Sequence, residues 1–353
     1  MASDGPIRIG MAGLGRAGWG MHREELRNKQ DRFRIVAVCD PLPVRREMAE
    51  RELGCRTYTT LAEMLGDPEV ELVDIASRST EHCAHASTAL RAGKVVFLEK
   101  PMGVRYEDAR KLYLLAQELG GQLFVRQNRR FEPAFQHIRE MIAEGLLGDV
   151  FEVKLRRLSF QRRDDWQTLR GCGGGLLLNW GPHIVDHALR FLDCPVADQW
   201  SDLKRVAAVG DAEDHLKIIL RGENGRVVDM EISGGAALLE PEYLIWGSRG
   251  ALTCTGETIT VKYLDPEAPL PPRIADSGTP KDEFGSGEEL PWIERTFEAC
   301  PRSGCDMSSI WDALYLHLRE GAPYPITLEE SLEVMRVIEV AKETTGFATP
   351  PGV

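Results

Sequence analysis

Short apolar runs and longer amphipathic stretches alternate along residues 6–126, and this alternation limits the possible folds more than any other feature of the sequence. The apolar runs have the length and β-branched content of buried strands, whereas the amphipathic stretches have the period of helices. Such alternation indicates an α/β fold with a doubly wound parallel sheet, whose ligands bind at the carboxyl ends of the strands. Strands are predicted at 6–12, 34–39, 56–59, 72–76, 95–98 and 122–126.

A glycine-rich turn, Gly13-Leu14-Gly15-Arg16-Ala17-Gly18, connects the first predicted strand to a helical stretch. Its three glycines allow a tight turn, a close approach of backbone to a pyrophosphate and close helix–strand packing, and the helix N-terminus favours an anion. Asp40, at the end of the second predicted strand, stands where a carboxylate can accept hydrogen bonds from a ribose diol. The strand, turn, helix and acid together predict a dinucleotide-binding domain.

Asp40 also bears on which dinucleotide binds, because a carboxylate at this point repels a 2′-phosphate and so favours NAD over NADP. Arg45 and Arg46 leave NADP as the alternative, since they are either solvated helix residues or close enough to reach a 2′-phosphate. The candidate cofactor-binding residues are the turn and the residues at the strand ends: Gly13, Leu14, Gly15, Arg16, Ala17, Gly18, Asp40, Ser77, Ser79, Thr80, His82, Glu99, Lys100 and Asn128.

The apolar run at 95–98 ends abruptly in Glu99, Lys100 and Pro101. A run of this length does not by itself distinguish a strand from a buried helix, but Gly93 before it and Pro101 after it favour a strand. A lysine at the end of a buried strand can act through a shifted pKa or as a placed charge. On these residues alone, a solvated lysine is the alternative.

After residue 148 the pattern changes to strand-like segments with few helices between them, beginning with an alternating segment at 150–160. This predicts an α+β unit with a largely antiparallel sheet. We expect an NAD-binding domain at 1–128 and a substrate-binding and oligomerisation domain at 129–353, whose C-terminal helix is a candidate to pack back on the first domain. Further strands are predicted at 215–220, 226–232, 242–246, 251–254 and 258–263, a long loop at 264–290, and helices at 308–318 and 328–344.

The segment 173–187 begins with three glycines, which suits a close approach of the backbone to another group. If the part after Gly175 is helical, Asn179, His183 and either Asp186 or His187 share one face. A histidine there is a candidate acid/base for a hydroxyl group near neutral pH. The alternative is a structural histidine with satisfied hydrogen bonds.

The loop at 161–167 is the candidate for substrate specificity. Its polar side chains can bind hydroxyl or acid groups, and its tryptophan can stack on a sugar together with Trp180. Arg156 and Arg157 add positive charge nearby, which hints at an anionic sugar; alternatively, the arginines of the loop pair with its aspartates at the surface. The candidate substrate-binding residues are Asn179, Asp186, His187, Trp180, Arg162, Arg163, Asp164 and Trp166.

Five motifs in this order resemble the Gfo/Idh/MocA oxidoreductase family. They are the GxGxxG turn, Asp40, the EKP tripeptide at 99–101, NRRF at 128–131 and GGGxLxNxGxHxxD at 173–186. The resemblance implies a Rossmann domain followed by an open-faced sheet that often forms an oligomer interface. It further implies that Lys100 is the catalytic lysine and His183 the acid/base, that Glu99 lies near the nicotinamide ribose, and that a cis bond precedes Pro101.

The chain departs from many family members at Asn179, where an aspartate is common. An amide can orient an imidazole, but it cannot stabilise the imidazolium as a carboxylate does. The resemblance then implies an NAD-dependent dehydrogenase of a sugar, sugar derivative or cyclitol. Two alternatives are a redox-neutral enzyme that cleaves glycosides through a transient keto-sugar, and a non-catalytic NAD-linked sensor.

The composition restricts partners and location. Lys and Arg number 43 against 55 Asp and Glu, a net charge of −12, which argues against nucleic acid or an anionic membrane as partner. No signal peptide or membrane span is recognised, and the eight scattered cysteines are expected to be reduced thiols, so we expect a cytoplasmic protein with no metal site. A homodimer or homotetramer through the C-terminal sheet is the expected assembly.

Overall fold

The computed structural model describes residues 5–275, 277–278, 288–350 and 352–353. Six parallel strands form the first sheet in the order β3-β2-β1-β4-β5-β6, which is the doubly wound order of a Rossmann domain. The α/β fold predicted for this part of the chain is therefore confirmed. The strands are β1 (Ile7–Ala12), β2 (Phe33–Cys39), β3 (Arg56–Tyr58), β4 (Leu72–Ile75), β5 (Val95–Glu99) and β6 (Leu123–Arg126).

Helices connect these strands, and their ends carry the expected signals. Thr60 caps α3 and forms a capping box with Glu63, while Gly54 and Gly120 end α2 and α5 in the left-handed conformation. A π-helical turn, Gly18–His22, precedes the short α1. The helices are α1 (Arg23–Leu26), α2 (Pro43–Leu53), α3 (Leu61–Leu65), α4 (His82–Arg91), α5 (Tyr106–Leu119) and α6 (Pro133–Ala143).

Eight strands form the second sheet in the order β14-β13-β12-β11-β7-β10-β9-β8. Every neighbouring pair is antiparallel except β7 with β10, so the predicted largely antiparallel sheet is confirmed. The strands are β7 (Val150–Leu158), β8 (Val196–Lys204), β9 (His215–Gly222), β10 (Val227–Ser233), β11 (Tyr243–Gly247), β12 (Gly250–Thr255), β13 (Thr258–Leu264) and β14 (Trp292–Glu298).

The sequence analysis did not predict β8 and β14. Both are edge strands in which most residues are polar or exposed, so their apolar period is weak. Of the predicted loop at 264–290, residues 265–275, 277–278 and 288–290 contain no helix or strand. Residues 276 and 279–287 lie outside the described part of the chain.

Four more helices lie in the second half of the chain, two between β7 and β8 and two after β14: α7 (Leu176–Asn179), α8 (Gly181–Leu192), α9 (Ser309–Glu320) and α10 (Leu328–Thr345). α8 is almost wholly buried against the second sheet. Trp311 of α9 packs under the first sheet against Phe33 and Phe97. α10 contacts both α5 and α8, and its buried Lys342 donates to the carbonyl oxygen of Val104 at 2.7 Å.

The face of the second sheet opposite α8 carries polar and aromatic side chains. Lys154 lies 4.3 Å from the ring of Trp246 on this face, and Trp200 and Trp292 are about half exposed. Within the described ranges, no helix is both long and apolar enough to cross a membrane.

Candidate active site

The glycine turn brings backbone N–H groups to the carboxyl ends of β1 and β4. Gly13 has φ +97°, and a Cβ there would collide with the backbone of Ala76 and Ser77. At Gly15 the space is open, and the N–H groups of Gly15, Arg16 and Ala17 have no hydrogen-bond partner among the described residues. Unpartnered amides at a helix N-terminus fit the pyrophosphate of a dinucleotide.

Asp40 lies beside this turn, but it is 2% exposed and its carboxylate is already engaged. One oxygen accepts from the N–H of Leu14 and the other from the N–H of Leu42, both at 2.9 Å. The guanidinium of Arg45 lies 3.1 Å from the same carboxylate. Since Arg45 offsets the negative charge, repulsion by Asp40 is a weaker reason for preferring NAD than the sequence indicated.

The other strand-end residues converge beside the turn. His82 is buried, with Nδ1 2.7 Å from the carbonyl oxygen of Pro101 and Nε2 3.2 Å from that of Ser77. It therefore connects the loops that follow β4 and β5. Ser79 and Thr80 begin the short 3₁₀ turn before α4, and Asn128 lies buried in the turn after β6. The structure thus brings the predicted cofactor-binding residues to one edge of the first sheet.

Lys100 lies at the carboxyl end of β5, where it faces the second domain. The Lys100–Pro101 peptide is cis, as the family resemblance implied. The Nζ of Lys100 donates to the backbone carbonyl oxygen of Asn179 at 2.9 Å. The side chain of Asn179 instead donates to Gln167 at 3.3 Å, so the contact with the lysine does not depend on whether residue 179 is Asn or Asp.

Gly175 positions the helix that carries these groups. Its φ is +111°, and a Cβ there would collide with the carboxyl group of Glu213. That carboxyl group accepts the N–H of Leu177 at 3.0 Å, and burial raises its pKa to about 7. Glu213 therefore fixes the first turn of α7 and, through it, the carbonyl group that holds Lys100.

The protonation of Lys100 and His183 follows from their surroundings. Burial lowers the pKa of Lys100, and Arg126, Arg16 and Arg129 lower it further, while Glu99 acts in the opposite direction. Burial and the charge of Lys100 hold the pKa of His183 well below its usual range. A pKa lowered in this way favours the neutral imidazole, and the predicted acid/base role of His183 stays a prediction.

Two residues predicted to bind substrate have other contacts. Both oxygens of Asp186 accept from Arg130, at 2.7 and 2.5 Å. His187 stacks on Phe135, and its Nε2 lies 2.8 Å from the carbonyl oxygen of Arg129. Both side chains are buried and bind these partners. Helical spacing predicted that they lie near His183, but it could not indicate these contacts.

The arginines near the specificity loop are largely paired. Arg163 binds Asp165, as the surface-pair alternative predicted, whereas Arg162 and Asp164 are exposed. Arg156 pairs with Asp229 and Glu240, and Arg157 with Glu132 and Glu242. The positive charge that hinted at an anionic sugar is therefore offset by carboxylates.

A cavity of about 290 Å³ lies between the specificity loop and the second sheet. Trp180 and Gln167 line it on the side of Asn179, and Leu158 and Ile232 contribute apolar surface. The guanidinium of Arg129 lies 4.3 Å from the ring of Trp180 and covers one face of it. Trp166 is half-buried, 5.7 Å from Arg78.

The sequence analysis did not single out Arg129 as a site residue, although it lies within the NRRF motif. Its place three residues after the end of β6, the last strand in the first sheet, was the available signal for Arg129. Gln167 belongs to the predicted specificity loop at 161–167, but its contact with Asn179 depends on the fold of that loop. Among the described residues, no cluster of three or more His, Cys, Asp or Glu side chains could hold a metal ion.

A Rossmann domain with an open phosphate turn and a strand-end lysine facing a second domain defines a class of NAD(P)-dependent oxidoreductases. Comparison with known proteins agrees with this class. Residues 7–127 match the model "Oxidoreductase family, NAD-binding Rossmann fold", and residues 135–253 match the GFO/IDH/MocA C-terminal domain. The chain belongs to the Gfo/Idh/MocA oxidoreductase family.

Individual relatives cover nearly the whole chain. The uncharacterized oxidoreductase YdgJ of Escherichia coli is 28% identical, with 96% of each protein covered. The scyllo-inositol 2-dehydrogenase (NADP(+)) IolW of Bacillus subtilis is 27% identical, with 96% of this chain and 94% of IolW covered. The crystal structure of an NAD-binding protein from Listeria innocua has a TM-score of 0.79 and 25% identity, over 96% of this chain and 95% of that one.

Proposed function

We propose that the protein is a dehydrogenase that oxidises a secondary alcohol of a sugar, sugar derivative or cyclitol. The observation that carries the proposal is the position of Lys100, at the carboxyl end of β5 and 2.9 Å from the carbonyl oxygen of Asn179 in the second domain. The name of IolW, scyllo-inositol 2-dehydrogenase, describes activity on a cyclitol and supports this substrate class.

The chain's own groups have distinct roles in this proposal. A bound nicotinamide dinucleotide supplies the hydride acceptor. Lys100 binds the substrate hydroxyl and accepts its proton, because its lowered pKa makes the neutral amine accessible. His183, held neutral, orients the same hydroxyl by a hydrogen bond. Arg129 adds positive charge near the developing alkoxide, which is where electrostatic stabilisation contributes most.

Net formation of reduced cofactor tests the proposal. The purified protein is incubated with NAD or NADP and a panel of polyols, cyclitols, aldoses and glycosides, and both reduced nicotinamide and released aglycone are measured. A dehydrogenase accumulates reduced nicotinamide in proportion to oxidised product. Release of aglycone without reduced nicotinamide would instead support the redox-neutral glycoside-cleaving alternative, while cofactor binding without any turnover would support the sensor.

For the cofactor, we propose a preference for NAD over NADP that Arg45 moderates. Arg45 offsets the charge of Asp40, whereas Arg46 binds only the carbonyl oxygens of Asp40 and Pro41 among the described residues. Arg45→Ala is expected to weaken NADPH binding about tenfold, by loss of one charge-assisted hydrogen bond, and to change NADH binding less. Calorimetric titration measures both dissociation constants, with Arg46→Ala as the matched variant. Tighter binding of NADPH than of NADH by the unmodified protein would contradict the preference.

We also propose a cytoplasmic homodimer or homotetramer that buries the face of the second sheet opposite α8. Trp246 and Trp292 on this face suit an interface core, and the eight free cysteines suit a reducing compartment. Trp246→Glu is expected to shift the sedimenting species toward monomer. Glu294→Gln, an exposed change on the same face, serves as the control. A monomeric unmodified protein would refute the proposed assembly.

A further inference from the structure

A line of buried charged side chains runs beneath Lys100. Nδ1 of His22 lies 2.8 Å from Asp74, and Nε2 lies 3.3 Å from Glu99. Glu99 accepts from Arg126 at 2.9 Å, and Arg126 donates to Glu25 at 2.7 Å. We call these five residues the buried charge chain. Its far end is fixed by Trp311, which donates to Glu25 at 2.7 Å.

Geometry indicates the protonation of His22. Each ring nitrogen faces a carboxylate oxygen, so both must carry a proton to make hydrogen bonds, and the ring is then an imidazolium. Burial and the charge of Arg126 lower the pKa of His22, but Asp74 and the hydrogen bond with Glu99 together outweigh them, so the pKa is raised. The signs of the charges therefore alternate along the buried charge chain, from the negative Asp74 to the negative Glu25.

Stability alone is a weak reason for such a chain. His22, Asp74 and Arg126 are wholly buried. Charges removed from water are expensive, and well-packed apolar residues in their place are often as stable or more so. The π-helical turn that places His22 is likewise uncommon and occurs frequently at functional sites. Both features favour a functional role.

Glu99 connects the buried charge chain to Lys100, which is its neighbour in sequence. The charges acting most strongly on Lys100 are those of Glu99, Arg126, Arg16 and Arg129, with His183 and His82 also near it. Among these described groups Glu99 is the negative one. His22 and Arg126 are the two cations that bind Glu99. They therefore compete with Lys100 for the negative charge of Glu99.

We propose that His22 and Arg126 are positioning residues. They hold Glu99 in its ionised form and offset part of its negative charge, so that Lys100 can still release and accept a proton. The inference rests on the proposed function in one respect: Lys100 handles the proton of the substrate. It extends that function by assigning a role to two residues that are wholly buried.

A measurement of the pKa of Lys100 tests the proposed role of His22 and Arg126. The full-length protein is acetylated competitively over a range of pH, and labelling of Lys100 is read by mass spectrometry. Glu99→Gln removes the attraction and is expected to lower this pKa by about one unit. Arg126→Gln and His22→Gln each remove a competing cation and are expected to raise it by about one unit, so that labelling below the pKa slows about tenfold. The double variant Glu99→Gln/Arg126→Gln is expected to lie between the single variants.

Arg126→Lys separates charge from structure, because it keeps the cation but loses the planar fork that binds two carboxylates. It is expected to leave the pKa of Lys100 near its original value even if the melting temperature falls. Shifts of the same sign in Glu99→Gln and Arg126→Gln, or no shift in folded variants, would overturn the inference. If Arg126→Gln does not fold, the opposite shifts of Glu99→Gln and His22→Gln decide. Acetylation needs neither substrate nor turnover, so a failure of the proposed function stays distinguishable from a failure of this inference.

Discussion

Replacement of Lys100 by methionine is expected to reduce kcat/KM for the oxidised alcohol by about 10²- to 10⁴-fold, the range for loss of a general base or of one charge that stabilises an oxyanion. Methionine keeps the aliphatic stem but removes the amino group, which donates a hydrogen bond to the carbonyl oxygen of Asn179. The fold should persist, since Lys100 is partly exposed and, within the described ranges, binds a backbone carbonyl oxygen and not a carboxylate. Initial rates of nicotinamide reduction on the substrate found by the panel measure the effect.

Arginine at the same position separates two roles of the lysine. An arginine remains protonated at any accessible pH, so it can supply charge but cannot accept a proton. If Lys100 is the base, Lys100→Arg should be nearly as inactive as Lys100→Met. Lys111→Met, on the exposed side of α5, is the control and should leave the rate unchanged. Full activity of Lys100→Met would refute the assignment, and strong rescue by arginine would leave only the electrostatic role.

Local patterns predicted the first sheet and the residues at its edge. The strands of a parallel sheet are short, apolar runs, and a residue directly after such a run must lie at the binding edge. This is why Lys100 and the glycine turn could be placed at that edge from sequence, whereas the catalytic role of Lys100 was implied only by the family resemblance. The edge strands β8 and β14 were not predicted, because an edge strand can consist mostly of polar residues and then shows no clear apolar period.

Contacts between distant residues explain what the sequence did not reveal. His22 meets Asp74 through a π-helical turn that no hydrophobic period indicates. The protonation of His183 depends on its burial and on the charge of Lys100, neither of which is visible in a motif. Asp186 shares a helix with His183, yet its partner, Arg130, comes from the turn after β6. Spacing alone therefore overstated the number of side chains available to the substrate.

The second large effect is expected on stability, at the ion pair that occupies Asp186. Arg130 donates to both oxygens of Asp186 and at 3.1 Å to Glu330, and it is 6% exposed. Arg130→Met leaves the buried carboxylate of Asp186 without its cation, which should lower the free energy of unfolding by about 3–5 kcal/mol. Arg163→Met removes an exposed pair with Asp165 and should cost less than about 1 kcal/mol. Urea unfolding of both variants measures the difference.

Activity of the folded fraction then distinguishes a structural Asp186 from a catalytic one. Asp186→Asn keeps the shape of the side chain but removes its charge, so it should destabilise the protein through Arg130. At a temperature where the variant is folded, its kcat and the pH profile of kcat should match those of the unmodified enzyme, because the carboxylate is bound by Arg130. A normal stability combined with a large fall in kcat would reverse this assignment and make Asp186 the partner of His183.

The same pair of measurements on Asn179→Asp tests the departure from the common family pattern. The backbone carbonyl group of residue 179 holds Lys100, so only a modest change in kcat is expected.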